Sequence, residues 1–365
     1  MKIIHILHSL KFSGAEIMYV DAAPFFQNKG CDLSVLATAN EVGEYAPFFK
    51  NAGYEVLHNP IPQFKNIFKR VRYYIWFTKL LKRDQFDVVH IHSNSTMLGL
   101  SFCAWFVNIK SVFTYHSTYK TRLLSYPYHL FVRWCAKSIF KCKFQSISDT
   151  VYDHELNLFH NKTNKIYNWY GTNRFYPALE LEKEKMRKDL GINADTFVLI
   201  SIGGCSVNKQ HSDIIKAMPI ILDKNKNTLY LHLGCGSSEA DEVKLCKDLG
   251  IEDNVRFFGN QVDIRKYLIA SDVYLMTSKL EGISLTTIEA MACNIPAILY
   301  DVPGLRDFNK YGNNSILIAE NYKLLAEAVF NYNTSTSDIN IQAIKHVNQF
   351  YNLDTNANQI YNLYV

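Results

Sequence analysis

The sequence predicts an α/β protein made of two parallel-sheet domains, and three observations carry that prediction. The chain has 365 residues, more than one ordinary hydrophobic core takes up, so two domains of similar size are expected. Short apolar, β-branched runs alternate with longer amphipathic stretches in both halves, the pattern of parallel strands joined by crossover helices. Glycines, hydroxyls and charged residues gather just after the apolar runs, where open parallel sheets hold ligands.

In the first half, strands are expected at Lys2–Leu7, Asp32–Ala37, Glu55–His58, Val88–His92, Ser111–Tyr115, Phe144–Ser148 and Lys165–Asn168. The opening Met1-Lys-Ile-Ile-His-Ile-Leu-His-Ser is too short and too polar for a signal peptide, and reads as a first buried strand. Leu179–Leu190, rich in Glu and Lys, reads as an exposed helix at the domain boundary, with a linker near Thr172–Ala178 that contains Pro177. In the second half, strands are expected at Phe197–Ile202, Leu229–Leu233, Val255–Phe258, Val273–Met276, Pro296–Tyr300 and Ser315–Ile318. Domains at 1–175 and 176–347 follow. Two sheets presenting such strand ends to each other would enclose a cleft.

Bulk composition is that of a globular protein, and no apolar run approaches the length needed to cross a bilayer. Eight scattered cysteines lack the paired short spacings of a zinc site. Buried reduced thiols in a cytosolic protein are expected instead. The net charge of +5 hides an asymmetry: from Val56 to Ser148 fourteen Lys and Arg face only Asp84 and Asp87, a window of +12 that leaves −7 elsewhere. One basic group comprises Lys65, Lys69, Arg70, Arg72, Lys79, Lys82 and Arg83 among Phe64, Phe68, Tyr73, Tyr74, Trp76 and Phe77. A second comprises Lys120, Arg122, Arg133, Lys137, Lys141 and Lys143 among Tyr126, Tyr128, Phe131 and Trp134. Basic, aromatic helices suit an anionic membrane surface. Nucleic acid is not expected as a partner, because no recognised motif accompanies the charge.

The most informative stretch is Glu281-Gly-Ile-Ser-Leu-Thr-Thr-Ile-Glu289, directly after an apolar strand. A helix starting near Leu285 or Thr286 leaves first-turn N–H groups without intrahelical partners, an anion site suited to a diphosphate. Glu281 and Glu289 can then flank one ligand. Thr286-Thr-Ile-Glu289 also matches a capping box, a purely structural alternative for Glu289. Gly203-Gly-Cys-Ser-Val-Asn-Lys209 is a glycine turn followed by a cation, permitting close approach to phosphate; it is neither a P-loop nor a dinucleotide fingerprint. His116 ends the run Ser-Val-Phe-Thr-Tyr-His and is the best placed of twelve histidines. His90 and His92 lack carboxylate support for a metal, and no Asp-x-Asp is present, so no metal is expected.

Taken in order, Ser13-Gly14-Ala15-Glu16, Thr114-Tyr-His116, Ser146-Ile-Ser-Asp149, Lys209, Phe258-Gly259 and Glu281-x7-Glu289 followed by Ala-Met-Ala resemble glycosyltransferase family four over nearly the whole length. The resemblance implies two Rossmann-like domains facing across a cleft (the GT-B fold), with residues 348–365 packing back on the first domain. It implies retaining, metal-independent sugar transfer from a nucleoside-diphosphate sugar, a UDP-sugar first among them, and no cofactor. Gly14 would approach the donor diphosphate, and His116 the donor sugar near its reacting carbon. Lys209, after Gly203, would bind the diphosphate, with backbone at Ser284 and Leu285 meeting phosphate. Phe258 and Gly259 would border the base, Glu289 would hold the ribose, and Glu281 the transferred sugar. His116, Glu281 and Lys209 are the expected catalytic residues.

Two positions depart from the family pattern: Gly204 stands where an Arg is usual, and Ser284 where a Gly is common. A glycan or lipid-linked glycan acceptor at the inner face of the cell membrane, in bacterial surface polysaccharide assembly, is the expected setting. The rival expectations are a nucleotide-sugar epimerase and a non-catalytic partner in an assembly complex.

Overall fold

Among the described residues, thirteen strands form two separate sheets in which every strand pair is parallel. The computed structural model describes residues 1–63, 65–119, 123–332 and 337–365. Phe64, Lys120 and Arg122 of the basic aromatic groups lie outside them. The chain divides into unit 1, Met1–Gly171 with Leu353–Val365, and unit 2, Thr172–Asn352.

Unit 1 contains β1 (Lys2–Leu7), β2 (Asp32–Ala37), β3 (Glu55–His58), β4 (Val88–Ile91), β5 (Lys110–Tyr115), β6 (Lys143–Ser146) and β7 (Asn164–Lys165), in the order β3-β2-β1-β4-β5-β6-β7. Its central strands are buried on both faces, with Ile3, Ile4, Ile6, Val88, Val89 and Ile91 fully inaccessible. That is why they read as continuous apolar runs rather than alternating ones. β6 stops at Ser146, short of the expected Ser148, because Ser148 caps the next helix, Asp149–Phe159, accepting from Val151 N at 3.2 Å. The helix Leu353–Tyr364 belongs to this unit and packs on β5 and the helix Ala23–Asn28. Tyr364 OH meets His90 Nδ1 at 2.6 Å, and Lys143 Nζ donates to Leu363 O at 2.7 Å.

Unit 2 contains β8 (Phe197–Ile202), β9 (Thr228–Leu233), β10 (Val255–Phe257), β11 (Val273–Met276), β12 (Ala297–Tyr300) and β13 (Ile316–Ile318), ordered β10-β9-β8-β11-β12-β13. This is the doubly wound order, in which the direction of strand addition reverses beside the first strand. The reversal falls between β8 and β11 here, and between β1 and β4 in unit 1. Connections leaving adjacent strands diverge at such a point, which opens a crevice at the strands' carboxyl ends. The expected boundary helix is present as Glu180–Asp189, held to unit 2 by Arg187 and Lys183 on Asp272 at 2.7 and 2.8 Å. All eight cysteines are free thiols, seven buried and Cys235 exposed.

Candidate functional site

In unit 2 the loops leaving β8 and β11 run side by side because those strands are neighbours. Lys279 N donates to Asn208 O at 2.8 Å, Asn208 Nδ2 to Leu280 O at 2.9 Å, and Thr277 Oγ1 reaches both Lys209 O and Gln210 O. This lacing brings the Lys209 ammonium to Glu281 Oε1 at 2.7 Å, with both side chains partly exposed. The Lys209 stem lies over Gly203, where a Cβ would meet Lys209 Cε at 3.4 Å, close to an ordinary contact. At Gly234, with φ +128°, a Cβ would sit 2.0 Å from Gly203 O, a conformation and a space that only glycine fits.

The helix Leu285–Ala292 follows Glu281. Its cap is Ser284, whose hydroxyl accepts from Thr287 N at 3.2 Å. The capping box that was the structural alternative for Glu289 does not form, because the helix begins before Thr286 and places Glu289 more than a turn inside. Thr286 instead donates its hydroxyl to Ile202 O at 3.1 Å, fastening the helix start to the end of β8. Glu289 is buried at 3 % exposure. Phe258 follows β10, its ring 4.8 Å from that of Tyr267, and Gly234 N donates to Gly259 O at 2.8 Å. Thus Gly203, Lys209, Glu281, Ser284, Leu285 and Gly259 gather around the ends of β8 and its two neighbours.

Unit 1 has its own reversal point, lined differently. His116 Nε2 meets His92 Nδ1 at 2.9 Å, and His92 Nε2 meets His5 Nδ1 at 3.1 Å. Burial lowers His116 to about 4 and His5 to about 3, and drives His90 and His92 well below the ordinary range. These rings are neutral at physiological pH, so His116 is a hydrogen-bonding group rather than a cation. Gly14 opens the helix Gly14–Asp21. Two residues on, Glu16 is buried and bonded to the Ser13 hydroxyl, and burial raises its carboxyl to about 7 despite that bond. The sequence reading used Glu16 only as a family marker; a buried acid at a helix start has no signal in residue spacing alone.

The basic groups of unit 1 divide: Arg70 and Arg133 are buried, Arg133 paired with Glu155 at 2.7 Å, and their other described Lys and Arg are exposed. On the helix Ile67–Arg83, Ile67, Phe68, Val71 and Ile75 are exposed beside exposed Lys69, Arg72 and Lys79. Phe102, Trp105 and Phe106 on the helix Met97–Phe106 are exposed too, as are Tyr128, Phe131 and Trp134 on Tyr126–Trp134. A cavity of about 730 Å³ opens among these helices, lined by Ile67, Val71, Tyr74, Leu98, Phe102 and Val132 with Arg70 and Arg133.

Comparison with known proteins adds the lineage. The chain is 27 % identical over 249 residues to N-acetyl-alpha-D-glucosaminyl L-malate synthase of Bacillus anthracis, 66 % of this chain and 63 % of that one. It is 22 % identical over 318 residues to the UDP-Gal:alpha-D-GlcNAc-diphosphoundecaprenol alpha-1,3-galactosyltransferase of Escherichia coli, 83 % of this chain and 80 % of that one. The chain's match to EpsD of Bacillus subtilis spans only 39 % of that protein. Among solved structures, HepE of Anabaena in complex with UDP-glucose superposes with a TM-score of 0.80 at 20 % identity, covering 99 % of this chain and 98 % of that one. Thus the two parallel sheets have the fold of GT-B glycosyltransferases. The model described as "Glycosyl transferases group 1" matches residues 182–332. The model described as "Glycosyltransferase Family 4" matches residues 12–201, more than half of the chain, and the chain belongs to that family.

Proposed function

We propose that this protein transfers a sugar, with retention of anomeric configuration and without metal, from a UDP-sugar to a hydroxyl of a lipid-linked glycan in bacterial surface polysaccharide assembly. The observation that carries this reading is the Lys209–Glu281 pair at the reversal point of unit 2. An ammonium beside a helix start suits a diphosphate, and a carboxylate beside both suits sugar hydroxyls.

In the proposed reaction the bond from the anomeric carbon to the diphosphate oxygen breaks, and the acceptor oxygen bonds to the same face of that carbon. The acceptor proton passes to the departing phosphate oxygen. Negative charge grows on the leaving diphosphate, so donors fixed in advance supply most of the rate gain. Lys209 supplies one such donor, and first-turn N–H groups at Leu285 supply others. Gly203 and Gly14 allow close backbone approach, Phe258 and Gly259 border the base, Glu289 holds the ribose, and Glu281 accepts from the transferred sugar. Neutral His116 is assigned a hydrogen bond to that sugar from Nδ1, its Nε2 being engaged by His92.

The exposed aromatic and basic face of unit 1 supports attachment to an anionic membrane, where a lipid-linked acceptor resides. The E. coli relative, whose name specifies a diphosphoundecaprenol acceptor, supports the same choice.

Calorimetric titration with UDP-sugars tests the donor reading: binding is expected for the wild type and loss of it for Lys209→Ala. Failure of every nucleotide sugar to bind the wild type overturns it. Flotation with vesicles containing anionic lipid tests attachment, with weakened association expected for Phe68→Ser and Ile75→Ser together.

A further inference from the structure

A second cluster in unit 2 lies beneath the proposed donor loops and has no part in the reaction above. Cys205, in the turn after β8, His211, first residue of the helix His211–Lys224, His232 on β9 and Glu242 on the helix Glu239–Asp248 converge. All four are buried, at 2, 1, 0 and 3 % exposure. One ligand atom from each lies within 4.8 Å of all the others. His232 Nε2 is 2.9 Å from His211 Nδ1, 3.2 Å from Glu242 Oε2 and 3.8 Å from Cys205 Sγ, while His211 Nδ1 is 3.6 Å from Glu242 Oε1.

Protons alone satisfy this arrangement poorly. The facing nitrogens of the two imidazoles share at most one proton, yet both also face the same carboxylate. The Glu242 carboxylate lies 3.2 Å from His232 Nε2 and 3.6 Å from His211 Nδ1, yet its Oε2 makes no well-aligned hydrogen bond there. A buried carboxylate oxygen left in that state is costly. A single cation among these four atoms would resolve the conflict, because a thiolate, two neutral imidazole nitrogens and a carboxylate oxygen each have a lone pair to give it. Tetrahedral zinc at 2.0–2.3 Å from N, O and S ligands spaces those ligands roughly 3.3–3.7 Å apart, close to the separations here.

We propose that Cys205, His211, His232 and Glu242 form a structural zinc site, against the sequence expectation of no metal. Four protein ligands fill a tetrahedral shell and leave no position for substrate, which marks the site as structural. The thiolate and imidazoles select zinc over magnesium or calcium. Its effect is on the donor loop: the ligands flank Lys209 on both sides in sequence and tie that turn to β9 and the helix Glu239–Asp248. The other close histidine group, His5, His90 and His92, offers no sulfur or carboxylate, and His90 has both nitrogens engaged by Tyr364 and Thr114.

The full chain, purified from zinc-containing medium without chelator, is expected to carry about one zinc per molecule by plasma mass spectrometry. Removing it should lower the melting temperature by roughly 10 °C or more, with recovery on adding zinc but not magnesium. Cobalt added to the stripped protein should give visible bands of a tetrahedral site with a thiolate charge-transfer band. Cys205→Ser should remove the charge-transfer band, and Cys235→Ser should leave it. These wild-type readouts stand even where a ligand variant fails to fold. A zinc content below about a tenth per chain, together with a melting temperature indifferent to zinc after chelation, overturns the proposal.

Discussion

At the reversal between β1 and β4, unit 1 presents linked imidazoles kept neutral by burial. At the corresponding reversal between β8 and β11, unit 2 presents an ammonium and a carboxylate 2.7 Å apart over a floor of glycine. The strand order around both points is the same. Shared topology fixes where a ligand can be approached, and the residues just past the strands decide what kind. Unit 2 is suited to an anion with hydroxyls attached. Unit 1 can offer hydrogen bonds without charge, while its exposed basic residues sit beside exposed apolar side chains.

The comparison breaks most sharply at Lys209. Lys209→Ala should lower kcat/KM for sugar transfer by 100- to 1000-fold, or about 3–4 kcal/mol of transition-state stabilisation. Its stability should change by less than ~1 kcal/mol, because a partly exposed ion pair contributes little. Gly234→Ala reverses that balance. A Cβ colliding with Gly203 O at φ +128° should cost about 3 kcal/mol in urea melts, with donor affinity falling as the loops shift.

The ionisable groups of unit 1 give two opposed pH dependences. Burial raises the Glu16 carboxyl from its ordinary 4.5 to about 7, so its contribution is full below 4.5 and is lost as pH climbs through 7. The depressed histidines act the other way: their contribution is present above 6.5 and fades as pH falls toward 4. Glu16→Gln should therefore be more stable than the wild type at pH 8, by at most ~3 kcal/mol, and lose that advantage by pH 5. Melting temperatures across that range check the sign. The mildest test sharpens unit 2. A Cβ on Gly204 meets only Cys235 O, at 3.4 Å, so Gly204→Arg fits and should tighten UDP-sugar binding several-fold, about 1 kcal/mol.

Much of this architecture was legible in the sequence. β1, β2, β3, β8 and β11 have the bounds expected for them, β6 and β7 differ from expectation at both ends, and the remaining strands differ by one residue at one end. Period and β-branching carry that signal because buried parallel strands must be apolar on both faces. Lys209 and Glu281 were legible as candidates because each follows its own strand; their contact depends on β8 and β11 being neighbours, which strand order decides. The helix start was expected at Leu285 or Thr286, and the structure takes the first, with Ser284 rather than Thr286 as its cap. The Cys205–His211–His232–Glu242 group was invisible for a plainer reason. Its members come from four elements at spacings matching no short metal motif, and only the folded sheet assembles them.

The contact between Lys209 and Glu281 has a consequence for ligand discrimination. An ammonium and a carboxylate that neutralise each other ask any ligand to replace what it displaces. Free phosphate, or a nucleoside diphosphate stripped of its sugar, could claim the ammonium only by leaving its own negative oxygens beside an abandoned carboxylate. On the proposed reading, an intact donor would bring hydroxyl protons to that carboxylate and anionic oxygens to the lysine, so both halves of the broken pair would be rehoused together. In the proposed reaction the pair would close again once the sugar has left, and re-formation of that bond would help to expel the spent nucleotide.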